Sequence, residues 1–236
     1  MYTLLACPQR ARQYGGLAMG IGLAVALVGP FLVQFFVAPR VLQLPISPSS
    51  AVMLGQGLLW LLVCGVVAIT LWWERKPLSS LGVRSISWPL ALLAGALGVV
   101  LGLAVPVLTL AMNQLMPPVQ GGTVASVTTG APAALMLLIV LTAGVTEEVL
   151  FRAYPIERLA RLTGSVWPGA LLSLAAFVAI HLAGWNLSHV LGVVLPLGAI
   201  MTGLYVWRRN LLFVVIIHIL IDLPLFLVAL GVLPQL

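Results

Sequence analysis

The chain of 236 residues is 62% hydrophobic and 7% charged, with a mean hydropathy of +1.19. Soluble domains have about a quarter of their residues charged, so a soluble globular protein is excluded. The formal net charge is +6, but the basic residues are scattered between apolar runs, which excludes the basic stripe of a nucleic-acid-binding surface.

Apolar runs of the roughly 20 residues needed to cross a bilayer as a helix occur at about 15–38, 51–73, 88–112, 131–152, 165–184, 187–207 and 211–233. The expected fold is an all-α polytopic transmembrane bundle of about seven spans. Residues 1–130 supply three N-terminal spans and residues 131–236 a four-span core. Every basic residue except Arg40 falls in a connection that alternation assigns to one side of the membrane. The stretch 113–130 and the turn near Trp185 carry no charge. The positive-inside rule therefore puts the N-terminus in the cytoplasm and the C-terminus outside, in a cell membrane. Pro30, Pro106, Pro196 and Pro224 fall within spans, where a missing backbone donor kinks a helix. Pro155 and Pro224 each lie a few residues beyond polar groups and are positioned to re-aim them. Cys7 and Cys64 are too few for a disulfide framework and lack metal-ligand spacing.

The polar content of the spans is concentrated in the core. Of 5 acidic residues, Glu147 and Glu148 are adjacent near the end of the fourth run, and Asp222 lies in the last. Intramembrane acids are costly and are found chiefly where they pair or work. On a helix Glu148 shares a face with Arg152, whereas Glu147 points about 100° away. One carboxylate is compensated and the other left free for general-base work. Glu147 is thus the candidate base, supported by Glu148 and Arg152.

If the fourth helix continues to Arg161 and turns at Leu162-Thr163-Gly164, Glu147 and His181 are equidistant in sequence from Gly164. Both then stand about 25 Å from the hairpin tip. His218, counted from a turn near Arg209, stands about 13 Å in, and the heights agree if the first hairpin projects about 10 Å beyond the second. Glu147, His181 and His218 then converge. Phe177 lies four residues before His181 and Asp222 four after His218, so each shares a face with its histidine: the aromatic to lock one imidazole, the carboxyl group to orient the other or hold a reacting group. His189, at the start of a span beside Trp185 and Asn186, reads as a cap or interface anchor.

Glu147-Glu148 with Arg152, Phe177-x-x-x-His181 and His218-x-x-x-Asp222 together resemble the three motifs of the CPBP family, the CAAX proteases and bacteriocin-processing enzymes. The resemblance covers the last 105 residues or so; the first three spans match only in hydrophobicity. It implies an intramembrane glutamic endopeptidase acting on a membrane-associated protein or peptide: a prenylated C-terminus, a leader peptide or a sorting tail. Glu147 and His181 would activate water, and His218 with Asp222 would stabilise the oxyanion, with no cofactor or metal. The family has Asn or Asp at the last position. An ionised Asp222 has no proton to donate to an oxyanion, so it must be protonated or act by orienting His218.

Two other readings compete. Glu147, His181 and His218 could be three ligands of a catalytic zinc, although no H-E-x-x-H spacing is present. A non-enzymatic scaffold, immunity protein or transporter could use the same cluster to hold helices together or relay protons.

Overall fold

The computed structural model describes residues 8–116 and 131–232, so Cys7 and most of the uncharged stretch 113–130 lie outside the described residues. Eight helices follow in order: α1 (Pro8–Leu27), α2 (Gly29–Val41), α3 (Pro48–Trp73), α4 (Trp88–Leu115), α5 (Ala133–Thr163), α6 (Val166–His181), α7 (Leu187–Arg208) and α8 (Leu211–Ala229). No strand occurs among the described residues, and the architecture is the expected all-α polytopic bundle of an integral membrane protein.

Length and composition qualify five helices as spans, or six if α1 and α2 count as one span bent by 42°. Beside them stands the shorter apolar helix α6, so the described residues hold five or six such spans against the approximate expectation of seven. The bend lies at Pro30, which occupies the first turn of α2. Helix α6 has only 16 residues, about 24 Å of rise against the roughly 30 Å of a bilayer's hydrocarbon.

Helix α5 is central. Its residues 148–156 are buried on all sides, and its first half packs on α8 while its second half forms a hairpin with α6. The hairpin turns at Gly164, whose φ of 75° is left-handed and accessible to glycine without steric cost. Helix α8 is held between α4 and α5. At Gly102 of α4, an added methyl carbon would lie 2.7 Å from the Leu220 carbonyl oxygen. Gly98-x-x-x-Gly102 is therefore a small-residue stripe that lets two helices approach closely, as in membrane helix pairs generally.

The helices contain π-turns at Val33–Val37, Ile69–Trp73, Val149–Ala153 and Val190–Val194. Three of them end two residues before a proline: Pro39, Pro155 and Pro196. A proline donates no hydrogen bond to the preceding turn and its ring pushes that turn's carbonyl away, so the ladder widens locally. At Val149–Ala153 the extra residue changes the facing of everything downstream in α5. Glu147 and Glu148 lie before this turn, so the change of facing falls on Arg158 and the other residues that follow it. Pro106 and Pro224 lie within α4 and α8, which continue through them.

The charged connections meet at one end of the bundle. Arg158, fully buried, pairs with Glu74 at 2.7 Å and donates to Ser80 at 3.0 Å (carbonyl) and 3.1 Å (hydroxyl). Tyr154 donates to Glu74 at 2.6 Å. Glu157 accepts two 2.9 Å hydrogen bonds from Arg209, and Asn210 donates to the Ser85 carbonyl. Arg158 and Glu157 thereby tie the α5–α6 hairpin to the α3–α4 connection and to the α7–α8 turn.

Candidate active site

Three helices place the polar cluster. Helix α5 contributes Glu147 and Glu148, α6 contributes Phe177 and His181, and α8 contributes His218 and Asp222. Equal counting from Gly164 does bring Glu147 and His181 to one height: Glu147 Oε2 is 3.9 Å from His181 Nε2. The same oxygen is 3.8 Å from His218 Nε2. These separations exceed a direct hydrogen bond, and leave the two imidazole nitrogens flanking one carboxylate oxygen.

Each ring is fixed from its other nitrogen. His181 Nδ1–H donates to the Phe177 carbonyl oxygen at 2.7 Å, and the Phe177 ring lies against the imidazole with centroids 4.5 Å apart. Phe177 is itself held by the Arg152 guanidinium, 3.8 Å above its centroid, and by an edge contact with Phe151. His218 Nδ1–H donates to Glu148 Oε1 at 2.6 Å. That oxygen also accepts from Arg152 Nη1 at 3.0 Å. Both histidines therefore turn Nε2 toward Glu147.

The Glu148–His218 bond spans 70 residues of sequence and goes beyond the expected support role, in which Glu148 paired only with Arg152. It is Glu148 that binds His218 Nδ1. Asp222 lies on the other side of the ring, with Oδ2 3.5 Å from Nε2. No sequence signal short of a contact map links Glu148 to His218. The Glu74–Arg158 pair left a faint one: Glu74 is the sole acid of the first 130 residues and needed a cation.

Exposure separates two layers. Glu148 and Arg152 are sealed, with 0% and 1% of their side chains exposed, whereas Glu147, His181 and Asp222 retain 22%, 17% and 26%. Glu74, Glu148 and Glu157 each pair with an arginine, while among the described residues the ion-pair partners of Glu147 and Asp222 are imidazoles. Glu147 is thus a partly exposed carboxylate with no arginine or lysine partner among the described residues, backed by the buried Glu148–Arg152 pair.

His189 does not cap its helix: Asn186 holds the N-cap position without a side-chain hydrogen bond. Its ring stacks on Trp185. Among the described residues, no three His, Cys, Asp or Glu side chains are grouped so as to hold a metal ion.

No curated protein and no solved structure matches the chain. Residues 129–224, which contain Glu147, Phe177, His181, His218 and Asp222, match the family model described as Type II CAAX prenyl endopeptidase Rce1-like, consistent with the CPBP family that the same three motifs resemble.

Proposed function

We propose that the chain is an intramembrane glutamic endopeptidase that cleaves a membrane-associated protein or peptide of the CAAX type. The observation that supports this most directly is the position of Glu147 Oε2, 3.9 Å and 3.8 Å from the Nε2 atoms of His181 and His218. Such gaps suit an oxygen atom bridging the three groups at hydrogen-bond distance.

Glu147 takes a proton from water while His181 Nε2 holds that water in line, and the water oxygen bonds to the scissile carbonyl carbon. Negative charge develops on the carbonyl oxygen beside His218. Because Nδ1–H is committed to Glu148, His218 donates to the oxyanion from Nε2 only when the ring carries both protons. Glu148 supplies the anion that supports this imidazolium. Asp222, adjacent to Nε2, adds a second donor when protonated. The intermediate collapses by breaking the C–N bond, and the proton held by Glu147 passes to the leaving amine. Hydrolysis so written needs no metal.

The N-terminus is assigned to the cytoplasm and the protein to the cell membrane because the charged connections gather at one end of the bundle, including the Glu74–Arg158 and Glu157–Arg209 pairs. Substrates would be a prenylated C-terminus, a leader peptide or a sorting tail.

The test compares membrane-protein termini in cells expressing wild type or Glu147→Gln at equal abundance. An uncleaved protein accumulating only with the variant is expected, corresponding to at least about a 10²-fold loss of activity. Persistent processing by folded Glu147→Gln would reject the assignment. Activity abolished by a strong chelator and restored by zinc would favour the metal reading instead.

A further inference from the structure

Two residues among those described join a side chain to left-handed backbone: Arg209, with φ 46°, and Arg75, with φ 54°. That conformation crowds Cβ and is strained for residues other than glycine, so a long side chain held there points to a use for it. Arg209 has one, in its two 2.9 Å hydrogen bonds to Glu157. Arg75 stands just past the end of α3, where the Lys76 backbone N–H closes the helix on the Thr70 carbonyl oxygen at 2.9 Å. Among the described residues the Arg75 side chain has no ion pair or hydrogen bond. Its neighbour Glu74 does not serve it. That carboxylate is 4% exposed and is held by Arg158 at 2.7 Å and Tyr154 at 2.6 Å. A cation after a helix C-terminus is favoured by the helix dipole, but Lys76 supplies that gain without the strain.

The surroundings of Arg75 are those of a lipid. Of the five full-length spans, α3 is the least covered by protein. Near its end Ala68, Ile69, Trp72 and Trp73 line an open apolar groove. It follows the helix for about 7 Å of rise, on the membrane side of Arg75 and Lys76, which are both exposed. Trp72 is 77% exposed and Trp73 44%, and tryptophan settles at headgroup level. Among the described residues this end of the bundle has no unpaired acid: Glu157 is bound by Arg209 as Glu74 is by Arg158. Arg84, Arg161 and Arg208 are exposed there as well. An apolar groove that ends at two exposed cations complements an amphiphile with an anionic head.

We propose that the end of α3 binds an anionic phospholipid, with the phosphate held by Arg75 and Lys76 and an acyl chain lying along Trp72 and Trp73. A guanidinium presents paired N–H donors to phosphate oxygens and an ammonium adds a point charge. The left-handed turn after Trp73 sets these cations directly beyond the groove, so one molecule reaches both.

The test places the full-length protein in phosphatidylcholine proteoliposomes and adds phosphatidylglycerol brominated on its acyl chain, which quenches tryptophan on contact. A saturable quenching step is expected with this lipid and not with brominated phosphatidylcholine. It should vanish in Trp72→Phe/Trp73→Phe, which keeps the groove aromatic. Arg75→Gly relieves the left-handed strain and so folds; it should bind about tenfold more weakly, and Arg75→Gly/Lys76→Gln about a hundredfold, at about tenfold for each charge-assisted contact. Arg84→Gln, at the same end but away from the groove, should stay within about threefold of wild type. Unchanged binding in Arg75→Gly, or an equal loss in Arg84→Gln, would reduce the effect to diffuse surface charge and overturn the proposal. So would a saturable step that survives in Trp72→Phe/Trp73→Phe, or displacement of the lipid by a farnesylated CaaX peptide, which would assign the groove to an isoprenyl chain.

Discussion

Replacing Glu148 by glutamine separates its two roles. The carboxylate oxygen Oε1 receives His218 Nδ1–H at 2.6 Å and Arg152 Nη1–H at 3.0 Å, and Gln can place an acceptor oxygen at the same point without the charge. Two losses follow. Arg152, 1% exposed, becomes an unpaired buried cation, and breaking such a pair costs about 3–5 kcal/mol, a substantial share of the ~5–15 kcal/mol that holds a typical domain together. His218 loses the anion that supports its second proton, and with it the oxyanion donor, which is worth about 10²–10³ in kcat. The assay is denaturant unfolding of the purified protein together with kcat and KM for peptide cleavage. The double variant Glu148→Gln/Arg152→Met removes both charges at similar volume, so stability should return to within about 2 kcal/mol of wild type while kcat stays low. A folded Glu148→Gln enzyme with kcat within about threefold of wild type, where the lost donor should cost a hundredfold, would refute the reasoning. So would activity regained in the double variant, since Glu148 would then act only through Arg152.

Two further outcomes are expected. Arg158→Met should destabilise the protein by about 3–5 kcal/mol by leaving Glu74 buried and unpaired, and adding Glu74→Gln should restore most of that loss; thermal unfolding of both variants checks it. Asp222→Asn should keep kcat within about threefold because the amide still donates near His218 Nε2, whereas Asp222→Ala should lose about ten- to a hundredfold. An inactive Asp222→Asn in steady-state assays would mean that an ionised carboxylate is required at that position.

Helical rise made much of the site readable before any coordinates. At a fixed 1.5 Å per residue, residue counts from Gly164 convert to height, and Glu147 and His181 do meet. The i,i+4 pairs Glu148–Arg152, Phe177–His181 and His218–Asp222 also form, because they depend on one helix each. Span number was less readable: hydropathy alone does not distinguish the 42° break at Pro30 or the 16-residue α6 from full crossings.

Composition, apolar run length and helical spacing by themselves determined a polytopic helical membrane protein with one polar cluster, since these are properties of single segments in an apolar solvent. The tertiary structure alone decided which faces meet. The π-turn before Pro155 shifts the phase of α5, so that residues 148–156 are buried all round and Arg158 reaches Glu74. The close approach of α8 to α5 sets Glu148 against His218. Rotation and pairing between helices depend on how side chains fill the space between them, and no local spacing records that.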